Sequence, residues 1–276
     1  MTYEALWHRL TPLYEEGEAK AIARWVMEVR FELSLADILC GKDTELSVND
    51  QAELAKIAER LEKGEPVQYI LGVADFCGRQ FFVAPGVLIP RLETEELVLW
   101  CQQWANNASR ILDVGTGSGC IAVTLAASLP KAHVSAWDIS DEALRIAEEN
   151  AKRAHAHVSF EQQDALNLPV EKACWDLIVS NPPYIQPKER DGMARNVLDY
   201  EPGIALFAPA DDPIVFYQCI GKYAINSLKI GGGLFFELNP LTAIPVADYL
   251  RQLGFQEVEI RQDQFGKDRF LKAIKI

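Results

Sequence analysis

The sequence contains no C-x-x-C pair, and its six cysteines (Cys40, Cys77, Cys101, Cys120, Cys174 and Cys219) are scattered. None has the Cys/His spacing of a zinc site. Four histidines, His8, His133, His155 and His157, show no metal-ligand spacing either. His155 and His157 read as solvated residues at a helix exit, so no metal is expected. No apolar run is long enough to cross a bilayer. The opening residues M-T-Y-E-A-L-W-H-R-L-T-P lack the apolar core of a secretory leader. The expectation is a cytoplasmic protein without a membrane partner, with most cysteines serving as small buried apolar side chains in a reducing compartment. Basic residues are also scarce: 27 Lys and Arg stand against 40 Asp and Glu, for a net charge of −13. That balance argues against a broad electrostatic grip on nucleic acid and leaves room only for a local basic patch. Internal repeats and low-complexity segments are lacking as well.

What remains is an ordinary soluble composition, 49% apolar and 24% charged over 276 residues, enough for one large or two ordinary domains. Residues 1–66 read as an all-helical bundle. In 20–33, Ile22, Trp25, Val26, Val29 and Leu33 share a face, and in 48–62 so do Leu54, Ile57, Ala58 and Leu61. Ser47 with Asp50 predicts a helix start, and Lys63-Gly64-Glu65-Pro66 a stop. Residues 67–91 read as a β-hairpin linker, with short β-like runs at Tyr69–Gly72 and Gln80–Val83 around Cys77-Gly78. Residues 92–276 form the third segment, with a helix from about Glu93. From 110 onward strands and helices alternate: strands at 111–114, 133–137, 158–161, 175–180 and 233–238, helices at 119–129, 141–153, 213–228 and 241–253. Such alternation predicts an α/β, Rossmann-like sheet, mostly parallel, with helices on both faces. The last two strands, 257–261 and 270–274, have no helix between them and predict an antiparallel edge hairpin.

Four constellations carry chemistry. Asp113-Val114-Gly115-Thr116-Gly117-Ser118-Gly119 follows a buried strand and opens a helix, where glycines let the chain turn tightly and let a ligand approach the backbone. The string Gly117-Ser118-Gly119-Cys120-Ile121-Ala122 also fits the dinucleotide pattern G-x-G-x-x-A, so by itself it leaves NAD open. Asp138 ends the next strand about 20 residues beyond the loop, the expected place for a carboxylate that accepts ribose hydroxyls; Ser140 or Asp141 suits the neighbouring helix cap better. Asp164, after the third strand, is placed to meet an adenine edge or to sit solvated in a loop. Ser180-Asn181-Pro182-Pro183-Tyr184-Ile185 ends the fourth strand with two residues that cannot donate backbone hydrogen bonds. Asn181 Oδ1 and the Pro182 carbonyl can together accept both hydrogens of a planar NH2 group, with Tyr184 against its plane or closing the pocket. A dehydrogenase leaves this segment unexplained, and a non-catalytic binding protein has no use for it.

The glycine loop with Asp138 resembles the cofactor site of class I S-adenosylmethionine-dependent methyltransferases. Asn181-Pro182-Pro183-Tyr184 resembles the [DNS]-P-P-[YFW] motif of members that methylate planar nitrogens, nucleic-acid adenine N6 and guanine N2 methyltransferases among them. Glu65–Gly72, Val87-Leu88-Ile89-Pro90-Arg91, Glu93-Thr94-Glu95, Ile111–Ile121, Ser180–Ile185 and Tyr200-Glu201-Pro202 are more specific, and over the whole chain they resemble the peptide-chain release factor glutamine methyltransferase family. That resemblance implies methyl transfer from S-adenosylmethionine, with S-adenosylhomocysteine as product, to the N5 of a glutamine in the Gly-Gly-Gln motif of class 1 release factors. It implies Gly115, Thr116, Gly117, Ser118, Gly119, Asp138, Ile139, Asp164, Ala165 and Asn181 as cofactor contacts. Asn181, Pro182, Pro183 and Tyr184 are implied as substrate contacts, with Asn181 and Pro182 catalytic. A monomer is expected, with residues 1–66 recognising the protein substrate and no direct contact to nucleic acid. Leu92, where the family usually has proline, and Asn239-Pro240-Leu241 after Glu237 depart from the pattern, as does Phe207 through Pro213. A nucleic-acid amino methyltransferase is the runner-up.

Overall fold

The computed structural model describes residues 1–106 and 109–276. In chain order these form α1 (Tyr3–Leu10), α2 (Glu16–Phe31), α3 (Leu35–Leu39), α4 (Val48–Leu61), α5 (Val67–Leu71), β1 (Val73–Phe76), β2 (Arg79–Phe82), α6 (Leu92–Trp104), β3 (Arg110–Val114), α7 (Cys120–Ser128), β4 (His133–Asp138), α8 (Asp141–Arg153), β5 (Val158–Gln162), β6 (Trp175–Ser180), α9 (Arg195–Tyr200), α10 (Gly203–Leu206), α11 (Val215–Ser227), β7 (Leu228–Glu237), α12 (Ala243–Gln252), β8 (Gln256–Gln262) and β9 (Asp268–Ile274). The chain divides into two compact units, Met1–Val73 with Ala194–Tyr200, and Ala74–Met193 with Glu201–Ile276.

The first unit is all-helical. Its core joins Leu6 and Leu10 of α1, Ala19, Ala23, Val26 and Met27 of α2, and Leu54, Ile57, Ala58 and Leu61 of α4. The α4 stripe is the one the periodicity predicts. On α2 the buried stripe is turned toward the two alanines, whose small side chains allow close helix approach, and Ile22 and Trp25 are only half-buried. Ser47 caps α4 by accepting from Asp50 N, and Gly64, at φ +80°, terminates the segment beyond it.

Residues 69–72 are not a strand. Pro66 caps a short helix in which Tyr69 N and Ile70 N donate to the Pro66 carbonyl, and Gly72 ends it at φ +71°. A four-residue apolar run has no period of its own, so the rigid Pro66 at one end and Gly72 at the other decide its conformation. The hairpin lies just beyond it. β1 and β2 are joined by Cys77-Gly78, both at positive φ (49° and 69°), as a two-residue turn matching strand twist requires.

The second unit is built on a seven-stranded sheet of order β5-β4-β3-β6-β7-β9-β8. All neighbours are parallel except β9, which runs antiparallel to both β7 and β8. The sequence-predicted fold class therefore holds, including the antiparallel hairpin at one edge. Two cores fill the two faces. One gathers Leu97, Ile111, Ile121, Val123, Leu125, Val179 and Phe235; the other Leu112, Ile178, Tyr217, Ile220, Leu234, Phe236, Val246 and Leu250. The alternation Ile111/Leu112 and Ile178/Val179 sends successive side chains to opposite faces, as strand geometry demands. β7 starts earlier than its glycines suggest, at Leu228, because its pairing with β6 shifts register between Leu228 and Gly233 without ending the strand.

Of the six cysteines only Cys101 is buried; Cys40 is exposed and the other four are half-buried. The expectation of mostly buried thiols fails because Cys77 sits in the hairpin turn and Cys120 and Cys219 on helices, where neither sheet face encloses them fully. No helix among the described residues is long and apolar enough to cross a membrane.

Candidate active site

In this strand order the chain leaves β3 for β4 on one side and returns through β6 on the other. Open α/β sheets bind ligands at such a reversal, at the carboxyl ends of the strands. The loop after β3 and the segment after β6 meet there around a cavity of about 290 Å³. Its wall includes Gly115, Thr116, Gly117, Ser118, Asp138, Ile139, Ser140, Asp164, Ala165, Leu166, Asn181 and Pro183. Three residues singled out in the sequence do not line it. Gly119 is the left-handed cap of α7 (φ +80°), Pro182 is buried, and Tyr184 turns its hydroxyl onto Glu237.

The glycine loop is fixed from below and from the side. Gly115 N and Thr116 N both donate to the Trp137 carbonyl (2.8 and 2.9 Å), and Gly117 N donates to Asp138 Oδ2 at 2.9 Å. Asp138 Oδ1 accepts from Ser140 N, also at 2.9 Å, while Ser140 caps α8 through Ala143 N. Asp138 therefore shapes the loop with one lone pair of each oxygen and keeps the others. Burial pushes its pKa up against the pull of these backbone donors. Buried Asn150 on α8 donates to the carbonyls of Phe82 and Ser118 (both 2.9 Å) and accepts from Phe82 N, tying the hairpin to the loop. Asp164 Oδ1 accepts from Leu166 N at 2.8 Å, which holds 164–166 as a turn at the cavity wall.

Among the described residues, two buried polar atoms at the loop, Ser118 Oγ and Asp113 Oδ1, have no partner. Asp113 is fully buried; its Oδ2 accepts from Thr116 Oγ1 (2.6 Å) and Ala122 N (3.2 Å). Desolvation nevertheless drives its pKa up to about 7. A carboxyl whose pKa is raised by folding binds more protons in the folded state, so its contribution to stability is full below the ordinary pKa near 4 and is lost as pH rises toward 7. Urea unfolding is expected to show stability falling between pH 4 and pH 8 by up to about 4 kcal/mol from this group. Asp113→Asn should flatten that decline; an unchanged slope would show that Asp113 is ionised without penalty.

The other wall comes from residues with no chemical signature in the sequence. Val87, Leu88, Pro90, Arg91 and Thr94 line the cavity from before and within α6, and Ile204, Ala205 and Phe216 from the far side. Glu201, 6% exposed, accepts from Arg91 Nη2 at 2.6 Å and from Ile89 N at 3.1 Å, which fastens 89–91 in place. Glu237, 1% exposed at the end of β7, accepts from Thr94 Oγ1 (2.6 Å) and Tyr184 Oη (3.0 Å). Burial raises its pKa, while these donors and the Arg269 charge oppose the rise. Asn181 Nδ2 donates to Thr94 Oγ1 at 3.3 Å. Asn239, one of the departures, donates to the Tyr184 carbonyl (3.0 Å) and to Glu189 (2.7 Å), so it braces the segment after β6. Thr94, Glu201 and Glu237 stand inside recognisable sequence stretches, but only the crossing of three distant segments reveals what they touch.

Similarity to known proteins decides the family. A Bacteroides thetaiotaomicron protein named release factor glutamine methyltransferase is 45% identical over 96% of this chain and 95% of its own length. The chain belongs to the release factor glutamine methyltransferase family. Family members named alike from Flavobacterium psychrophilum and Geobacter sulfurreducens are 35% and 37% identical, over 96% and 93% of this chain and 94% and 90% of their own. The Methyltransferase small domain matches residues 80–199, and the PrmC N-terminal domain residues 7–72. A solved methyltransferase from Pyrococcus furiosus shares the fold at 17% identity, with a TM-score of 0.54 over 83% of this chain and 99% of that one.

Proposed function

We propose that this chain methylates the N5 of the glutamine in the Gly-Gly-Gln motif of class 1 release factors, with S-adenosylmethionine as donor. Membership of the family supports the reaction, and one observation supports the site. Asn181 Oδ1 and the Pro182 carbonyl accept no hydrogen bond among the described residues, beside a glycine loop that carries two buried unpaired polar atoms. The residues present fit the cofactor. Asp138 keeps lone pairs for ribose hydroxyls. Ile139, Asp164 and Ala165 offer an apolar wall and a polar edge for the adenine. Gly115 and Gly117 meet open space where a side chain would stand, so Gly115–Ser118 can take the amino-acid end against the backbone.

Bound S-adenosylmethionine supplies a methyl carbon activated by a sulfonium. The chain's own residues must make a poor nucleophile reactive, because the nitrogen lone pair of an amide is delocalised into its carbonyl. Among the described residues no His or Lys lines the cavity, and burial drives the Cys120 thiol far above its ordinary pKa, so a strong base is not at hand. Asn181 Oδ1 instead accepts one N–H of the amide at the cavity wall, and the carbonyl of buried Pro182, next in the chain, accepts the other, which turns the nitrogen's out-of-plane lobe toward the methyl donor. Their partial negative charge stabilises the positive charge developing on that nitrogen. The proton leaves late, to water or a carbonyl.

The helical unit is assigned to recognition of the protein substrate, and the enzyme to work as a monomer in the cytoplasm, without direct contact to nucleic acid or membrane. The deciding experiment is transfer of labelled methyl to a purified class 1 release factor and to one with the motif glutamine replaced. Label on the first alone is expected. Label on neither, or on both, would overturn the assignment of the acceptor.

A further inference from the structure

Glu237 ends β7, the strand beside β6, with Ser180 in register with Phe236. Asn181 and Glu237 are thus neighbours at the carboxyl edge of the sheet, and Thr94 of α6 lies between their side chains. A hydroxyl has one proton to give and two lone pairs to accept with. The Thr94 proton goes to Glu237 Oε2 at 2.6 Å, a charge-assisted bond between two groups that are 2% and 1% exposed. Thr94 Oγ1 can then only accept from Asn181, and it does so from Nδ2 at 3.3 Å. An asparagine amide whose NH2 side is engaged this way presents its oxygen to the cavity. Were the Thr94 proton free, it could bond Asn181 Oδ1, and the amide would turn its NH2 toward the cavity instead.

We propose that Glu237, acting through Thr94, sets the hydrogen-bond polarity of the site by holding Asn181 as an acceptor toward the cavity, and so makes the site select an NH2-bearing group. This rests on the function proposed above, in which the group that receives the methyl is an amide nitrogen. Glu237 and Thr94 are positioning residues. Glu237 does not line the cavity, and its effect passes through one hydroxyl proton. A carboxylate isosteric with the amide would bring lone pairs where N–H groups are needed, and the site would turn it away.

Glu237→Met removes both acceptor oxygens, keeps a side chain of similar length and releases the Thr94 proton. Its kcat is expected to fall about 100-fold, the scale of losing one preorganised hydrogen-bonding group at the reacting centre, while the Kd for S-adenosylmethionine stays within about twofold. Thr94→Val should lose a similar factor, and Thr94→Ser, which restores the hydroxyl, should recover most of it. The double variant should be no worse than either single one, because the two residues act along one path. The second readout needs no substrate. In 15N-labelled full-length protein the Asn181 side-chain NH2 is expected to be protected from solvent exchange in the parent and Thr94→Ser, and exposed in Glu237→Met. An unprotected Asn181 NH2 in the parent, unchanged kcat in Glu237→Met, or losses that simply add in the double variant would each overturn the proposal. A parent that transfers no methyl would overturn the proposed function instead, and the exchange measurement would still decide the polarity of Asn181.

Discussion

Asn181→Ala is expected to lower kcat at saturating S-adenosylmethionine by about 10²–10³-fold, the usual cost of deleting one preorganised partner of the charge that develops in the transition state. The side chain stands at the end of β6, a strand buried from Leu177 to Ser180, with Pro182 and Pro183 stiffening the chain that follows. Its Nδ2 is spent on Thr94, and its Oδ1 accepts nothing from the described residues. That oxygen is the kind of group that binds in the transition state more strongly than in the ground state, so its loss should appear in kcat more than in KM. The cost to folding should be small, about 1 kcal/mol, since Thr94 stays anchored to Glu237. Single-turnover rates with a purified release factor separate the two effects. A variant that keeps full turnover with cofactor bound would remove Asn181 from the mechanism.

Gly119→Ala should be the most damaging of the loop substitutions, for a reason that has nothing to do with the ligand. Gly119 has φ +80°, and a Cβ there would stand 2.9 Å from Ala147 Cβ and 3.1 Å from Ala147 Cα. Ala147 lies in the middle of α8 and is fully buried, so the neighbour that would have to move is helix backbone. Left-handed strain of about 1–2 kcal/mol for a side chain and overpacking of about 1–3 kcal/mol together predict a loss of roughly 2–5 kcal/mol. Gly117→Ala, at φ +56° with no atom within 4 Å, should pay the strain alone. Urea unfolding of the two variants makes the comparison. Equal losses would show that the α7–α8 approach yields easily and that the clash carries no weight.

The sequence by itself determined the class of fold and the ends of the strands that bear the site. Ile111–Val114 and Leu177–Ser180 are short, mostly apolar runs rich in Ile and Val, each followed by residues that cannot continue a strand, and their alternation with helical segments reads them as strands buried on both faces. The loop glycines and the Pro182-Pro183 pair are local statements about φ and about missing donors, so they can be read without knowing what surrounds them. By the same token Ser47 and Gly64 mark the limits of α4 by their own chemistry.

Only the tertiary structure decided what lacks a local signature. The run Tyr69–Gly72, read as β-like from its sequence, ends a short helix instead, because Pro66 and Gly72 set its two ends. Tyr184, expected against the substrate, turns to Glu237, because a carboxylate 53 residues away is a stronger partner for a buried phenol than the cavity is. Asp138, expected to be free for a ribose, also accepts from Gly117 N of the glycine loop and from Ser140 N at the start of α8. Arg91 with Glu201, and Thr94 with Glu237, are pairs separated by 110 and 143 residues. Each residue alone reads as an unremarkable polar position on a helix start, a loop or a strand end. Their meaning comes from desolvation: once the sheet buries Glu237 and Glu201, each carboxylate must take up the donors brought to it, and those bonds fix the walls of the cavity and the orientation of Asn181.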